Sequence, residues 1–157
     1  MRTIGKFQGQ GGFTLVELVS VMTVVGILAA VALPKYANLS ADARAATVHS
    51  ARGALDSTLA MVHSKYLVRP AAYDDGTGMP MEDATVTFRN GYPVADRDLA
   101  AAAGLDKRAS FDATWTNGRL VVSPAGVADR AQCNVTYTEP AAPGTPPAIT
   151  ATVTDCG

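Results

Sequence analysis

A single carboxylate, Glu17, interrupts the apolar run FTLVELVSVMTVVGILAAVAL between Phe13 and Leu33. At the centre of a membrane-spanning helix an ionised carboxylate costs up to about 3 kcal/mol, and less near the end. Such a charge either serves some purpose in the protein or is an incidental glutamate in a plain membrane anchor. Cys133 and Cys156, with 22 residues between them, have no second pair and no nearby histidine to complete a zinc site, so a disulfide is expected. That bond requires an oxidising compartment. The only two histidines, His49 and His63, fall fourteen residues apart on one predicted helix, about 21 Å. They cannot share a metal. Asp74-Asp75-Gly76 invites a calcium reading, but the segment lacks the alternating oxygen ligands of a calcium loop, and a solvated turn is expected there. There is no G-x-S-x-G elbow, no HExxH and no P-loop lysine. No gathering of polar groups suits catalysis, so neither an enzyme nor a cofactor is expected. With Arg2, Lys6 and Glu17 set aside, eleven basic and thirteen acidic residues remain, which gives nucleic acid no basic face to bind.

These residues need elements to hold them. The 21 residues from Phe13 to Leu33 make a helix of roughly 30 Å, the thickness of a bilayer core. Arg2 and Lys6 precede it and keep that end cytoplasmic, so the chain beyond Lys35 is exported, in agreement with the cysteines. An ordinary cleaved signal could use Ala30-Val31-Ala32, but the apolar run exceeds the usual h-region and a removable signal gains nothing from Glu17. Ser20 and Thr23 can bond the carbonyl one turn back and receive no function. Gly26 and Ala30 make a small-xxx-small pair that could let helices approach, although in so Ala-rich a stretch chance gives the same spacing. Pro34 removes a donor and clashes with the carbonyl four residues earlier, so the helix should bend or loosen between Ala30 and Pro34.

Beyond Pro34 the helix is predicted to continue, because Val48, Ala51, Leu55, Leu59, Val62 and Tyr66 recur at three- and four-residue intervals. Asp42, Arg44, Arg52, Asp56 and Lys65 lie mostly off that stripe and read as a solvated face, with His49 and His63 on the polar side. Arg69-Pro70 ends the helix. Residues 71–83 read as a Gly-, Pro- and Asp-rich connection without a regular element. Strands are predicted at Thr85–Arg89, Phe111–Thr116, Arg119–Ser123, Asn134–Thr138 and Ile149–Thr154, with Asn117-Gly118 as a type I′ hairpin turn. An Ala-rich helix is expected within Asp96–Leu105, ending at Gly104. The fold class is α+β, a long helix packed on a C-terminal antiparallel sheet. Trp115 reads as a core residue of that sheet. The segment between the cysteines carries EPAAPGTPP, a stiff exposed loop. Cys156 falls out of phase with Ile149, Ala151 and Val153, and a bulge near Asp155 would restore it.

Gly11-Gly12 followed by Phe13-Thr14-Leu15-Val16-Glu17-Leu18 resembles the class III leader and N-terminus of type IV pilins and pseudopilins, as do Gly26 and Pro34-Lys35-Tyr36 farther along. The resemblance implies a leader over 1–12, a transmembrane and filament-core helix over 13–33, and an extracytoplasmic globular domain over 34–157. It implies cleavage after Gly12 by a prepilin peptidase, methylation of the new Phe13 amine, and melting between Gly26 and Pro34 as the filament packs. Glu17 then has its cation, the Phe13 amine of a neighbouring subunit. The implied partners are copies of the chain in a helical homo-oligomer, the inner membrane before assembly, an assembly platform with its ATPase, and a secretin. The chain would sit in the inner membrane first and in an extracellular pilus afterwards. The bridged segment Cys133–Cys156 would be displayed on the fibre. Pro34-Lys35-Tyr36 through Asp42-Ala43-Arg44, Asn90-Gly91-Tyr92-Pro93 and Cys133-Asn134-Val135-Thr136-Tyr137 are similar to mannose-sensitive haemagglutinin, or MSHA-type, pilins. A pseudopilin of a type II secretion system shares the same N-terminus and stays open as the alternative.

Overall fold

The computed structural model describes residues 12–73, 76–107 and 110–157, and only the helical backbone at 33–38. A single helix, α1, runs Leu15–Val68, joining the apolar run to the amphipathic stripe as the sequence periodicity requires. The chain divides into two compact units, Met1–Ala37 and Asn38–Gly157. In the first, the window Leu15–Ala32 has a mean hydropathy of 2.4 and none of it is buried. By length and composition this stretch can cross a membrane.

In the second unit α1 presents Val48, Ala51, Leu55 and Leu59 to one apolar core, all buried. The helix ends at Arg69-Pro70, and a 3-10 turn over Pro70–Ala72 follows. Two small antiparallel ladders come next: β1 (Met79–Pro80) with β2 (Thr85–Val86), and β3 (Phe88–Arg89) with β4 (Tyr92–Pro93). Helix α2, Arg97–Ala102, begins at an N-cap in which the Asp96 carboxylate accepts from the Leu99 amide at 2.9 Å. It stops before Gly104, whose φ of +66° suits glycine.

The remaining strands, β5 (Phe111–Thr116), β6 (Arg119–Pro124), β7 (Cys133–Thr138) and β8 (Ala148–Val153), form an antiparallel meander in that order. Alternation puts Leu120, Val122, Cys133, Val135 and Tyr137 in the core with the helix stripe. A second cluster joins Val62 to Met79 and Val86, with Tyr73 and Phe88 against it. Asn117 and Gly118, at φ 51° and 73°, turn β5 into β6. Two backbone amides, Thr154 and Asp155, converge on the Gln132 carbonyl at 3.0 and 3.4 Å. That is the two-against-one pattern of a bulge, and it returns Cys156 to the side of Cys133.

Two expectations need correction, and one turn is not foreseen in the sequence. The strand predicted over Thr85–Arg89 is two short pieces in different ladders. The connection 71–83 contains the end of the 3-10 turn and β1, paired by Met79 with Val86. Asn90-Gly91, at φ 55° and 81°, closes a second tight hairpin, between β3 and β4. The same dipeptide logic applies to both turns, but at the second the flanking strands are only two residues long.

Candidate functional site

The helix start is built by Thr14 and Glu17. The Thr14 amide and hydroxyl both donate to Glu17 Oε2, at 2.9 and 2.8 Å, and the Glu17 amide donates back to Thr14 Oγ1 at 3.2 Å. This is a capping box, which satisfies backbone donors that a helix start otherwise leaves open. Thr14-Leu15-Val16-Glu17 carries the T-x-x-E spacing of that motif ahead of an apolar run, a signal that the charge of Glu17 alone does not reveal. Glu17 is therefore held in its own chain by Oε2, and Oε1 takes no part in this exchange. Phe13 lies just before the cap with 93% of its surface exposed. Downstream, Ser20 Oγ donates to the Glu17 carbonyl at 2.9 Å and Thr23 Oγ1 to the Ser20 carbonyl at 2.8 Å, as local back-bonding predicts. A Cβ added at Gly26 would meet nothing within 4 Å. At Pro34 the backbone is helical and the side chain lies outside the described set. The leader residues Arg2, Lys6 and Gly11 and the Asp74-Asp75 pair also lie outside the described residues.

The C-terminal segment is closed by the Cys133–Cys156 disulfide, with Cα atoms 5.0 Å apart. Arg44, expected on a solvated helix face, instead donates from its guanidinium to the Cys156 carbonyl at 3.0 Å. The loop's root is fixed by Glu139, whose side chain is only 8% exposed and pairs with Arg89 at 3.0 Å. Its other oxygen accepts from the Ala95 amide at 2.7 Å. Asn90 donates to the Pro140 carbonyl at 3.1 Å. Tyr137 donates to the Pro93 carbonyl at 2.6 Å, and burial, with the charges of Glu139 and neighbouring groups, pushes its hydroxyl above the ordinary tyrosine range.

His63 is half-buried, not on a polar face. Its Nδ1 meets the Gly91 carbonyl at 2.8 Å and its ring stacks on Tyr92, centroids 4.1 Å apart. His49 is exposed. Trp115 shares strand parity with Phe111 and Ala113, which pack against the core, yet it is 46% exposed on the edge strand β5, a further correction. Among the described residues no cluster of three or more His, Cys, Asp or Glu could hold a metal ion.

Residues 8–33 match the prokaryotic N-terminal methylation motif. The chain is 33% identical over 106 residues to the type IV narrow pilus major component PilA5 of Thermus thermophilus, covering 68% of this chain and 69% of that one. It is 42% identical over 50 residues to the type IV major fimbrial protein FimA of Dichelobacter nodosus, a match spanning 32% of each chain. Against the type IV major pilin PilE1 of Neisseria gonorrhoeae it is 34% identical over 92 residues, 55% of this chain and 43% of that one. No solved structure matches. This chain belongs to the type IV pilin family, and the relatives it resembles are structural subunits.

Proposed function

We propose that the chain is cleaved between Gly12 and Phe13, methylated on the Phe13 amine, and built into a surface filament in which Glu17 of one subunit neutralises the Phe13 amine of the next. The observation that carries this reading is Glu17 at the start of an apolar span with no buried side chain, where a carboxylate has no use in a membrane-bound monomer beyond its cap. Once such spans pack together, an unpaired amine inside them costs several kcal/mol, and the ion pair forms at one axial stagger only.

The division into leader 1–12, core helix 13–33 and globular domain 34–157 belongs to this reading, as do flexibility between Gly26 and Pro34 and an N-terminus on the cytoplasmic side. A prepilin peptidase, an assembly platform with its ATPase and a secretin are the partners such a route needs. The Asn90-Gly91-Tyr92-Pro93 and Cys133-Asn134-Val135 motifs support an MSHA-type, adhesion-related fibre. The disulfide and the exposed Pro-rich loop favour a surface fibre over the short periplasmic piston of a type II secretion system.

Electron microscopy of shear-released material with intact-mass analysis tests the proposal. The expected result is fibres made of a chain starting at a methylated Phe13. A mature chain starting at Leu33 would instead mean an ordinary secretory signal, and a processed chain that never leaves the envelope would favour the pseudopilin reading.

A further inference from the structure

The chain carries Asn-Gly twice, Asn90-Gly91 and Asn117-Gly118, each closing a tight hairpin with both residues at positive φ. This dipeptide sets an electrophile beside a nucleophile. The side-chain amide carbon of asparagine lies within reach of the next backbone nitrogen, and glycine, with no Cβ, lets that nitrogen swing toward it. The attack needs the turn to open for a moment and the asparagine side chain to be free. Since the two turns share one backbone conformation, the ties on each decide which of them reacts.

Those ties differ. Asn90 is half-buried, and its side-chain amide donates to the Pro140 carbonyl at 3.1 Å. The Gly91 carbonyl meets His63 Nδ1 at 2.8 Å, and the Tyr66 ring lies 3.3 Å from where a Cβ on Gly91 would stand. Asn117 is exposed, and no hydrogen bond among the described residues holds its side chain. The Gly118 carbonyl accepts from the Glu139 amide at 2.9 Å, a bond that does not engage the attacking nitrogen.

We infer that Asn117 is a self-modifying site, converted without an enzyme to aspartate and isoaspartate. The Gly118 nitrogen attacks Asn117 Cγ, its proton passes through solvent to the departing amide nitrogen, and ammonia leaves. A five-membered succinimide ring then joins the two residues. Water opens it at the side-chain carbonyl to give aspartate, or at the main-chain carbonyl to give isoaspartate. Either product adds one negative charge to a chain of formal net charge −1. The charge appears beside Arg119, in a surface hollow of about 320 Å³ that Thr114, Thr116 and Val121 also line. Isoaspartate adds a backbone carbon ahead of Gly118 as well, and so displaces the carbonyl that receives the Glu139 amide at the root of the Pro-rich segment. The tip of the β5–β6 hairpin thus changes charge and shape with age.

The solubilised chain is held folded at mildly alkaline pH, beside a sample unfolded in guanidinium with its disulfide reduced. Both are sampled over time and digested with trypsin in mildly acidic buffer, which holds back further conversion. Mass spectrometry with electron-based fragmentation separates isoaspartate from aspartate. The peptide 109–119 reports Asn117 and the peptide 90–97 reports Asn90. In the unfolded chain both sites should convert at near-equal rates. In the folded chain we expect Asn117 to give both products at a rate that rises with hydroxide, and Asn90 to convert at least about fivefold more slowly, the factor set by one hydrogen bond that must break first. A folded chain whose 109–119 peptide keeps its mass while the unfolded chain converts overturns the site. Folded-state conversion of Asn90 as fast as that of Asn117 overturns the assignment by side-chain ties. Aspartate without isoaspartate means direct hydrolysis and overturns the succinimide step.

Discussion

Thr14 and Glu17 hold each other across the first turn of α1, hydroxyl to carboxylate at 2.8 Å. On the proposed function the carboxylate has two separable uses, closing its own helix start and facing a neighbour's amine in the filament. Thr14→Ala removes the first use alone and should cost about 1 kcal/mol of local helix stability. Filament yield should stay at a sizeable fraction of wild type. Glu17→Ala and Glu17→Gln should both abolish or sharply reduce sheared filament while the membrane-bound mature subunit remains, because neither neutralises a buried cation. Equal loss from Thr14→Ala and Glu17→Ala would make the cap, not the charge, the reason for the glutamate.

The disulfide and Arg44 act on the same terminus. Closing a loop of this length is worth about 3 kcal/mol in the chain-entropy model, so Cys133→Ser/Cys156→Ser should lower unfolding stability by that order. Arg44→Ala should cost about 1–2 kcal/mol through the lost charge-assisted bond to the Cys156 carbonyl. The two losses should add to less than their sum, because freeing Cys156 already lets its carbonyl leave Arg44. A denaturant cycle on the solubilised chain with the four variants measures this, and strict additivity would contradict the coupling.

Asp96 gives a pH dependence of known sign. Burial raises its carboxyl above the ordinary aspartate value and the Asp98 charge adds to this, against the Leu99 amide bond, which lowers it. The folded state thus binds this proton more tightly than the unfolded chain, so the stability linked to Asp96 falls as pH rises through the carboxylate range. Asp96→Asn keeps an N-cap acceptor without the charge and should flatten that fall, leaving the domain at least as stable as wild type at neutral pH. Asp96→Ala should lose about 1 kcal/mol at either pH. Denaturation midpoints across the acid range decide it, and a wild-type stability that rises with pH in step with Asp96 would reverse the sign.

Tyr137→Phe tests the bond that ties β7 to β4. It would leave the buried Pro93 carbonyl without its 2.6 Å donor and should cost about 1–3 kcal/mol. An unchanged unfolding midpoint would mean that water or a shifted neighbour replaces the hydroxyl.

Periodicity makes α1 legible on both sides of Pro34, since a continuous apolar run and a three-four stripe need no knowledge of partners. The C-terminal strands and the Asn117-Gly118 turn are legible for the same reason. The features that escape depend on distant or very short partners. The Cys156 carbonyl that Arg44 reaches lies 112 residues along the chain, and no local pattern distinguishes that arginine from its solvated neighbours. His63 reads as polar-face because its acceptor, Gly91, belongs to a hairpin too short to leave an alternating pattern. Trp115 keeps the parity of a core residue, but parity does not report that its strand, β5, lies at the edge of the sheet. At the N-terminus the charge of Glu17 draws attention away from its spacing to Thr14, although both are written in the same four residues.

The bond from Arg44 to the Cys156 carbonyl also has a mechanical consequence. A fibre under shear pulls on each globular domain through its helix, and Arg44 lies near the point where that tension enters. Its bond ties the helix to a segment that a covalent bridge has already closed, so breaking that one hydrogen bond does not release the chain end beyond the bridge. Unravelling of β8 from its C-terminal end stops at the bridge, so the segment between β7 and β8 stays a closed loop even when its strand pairs open.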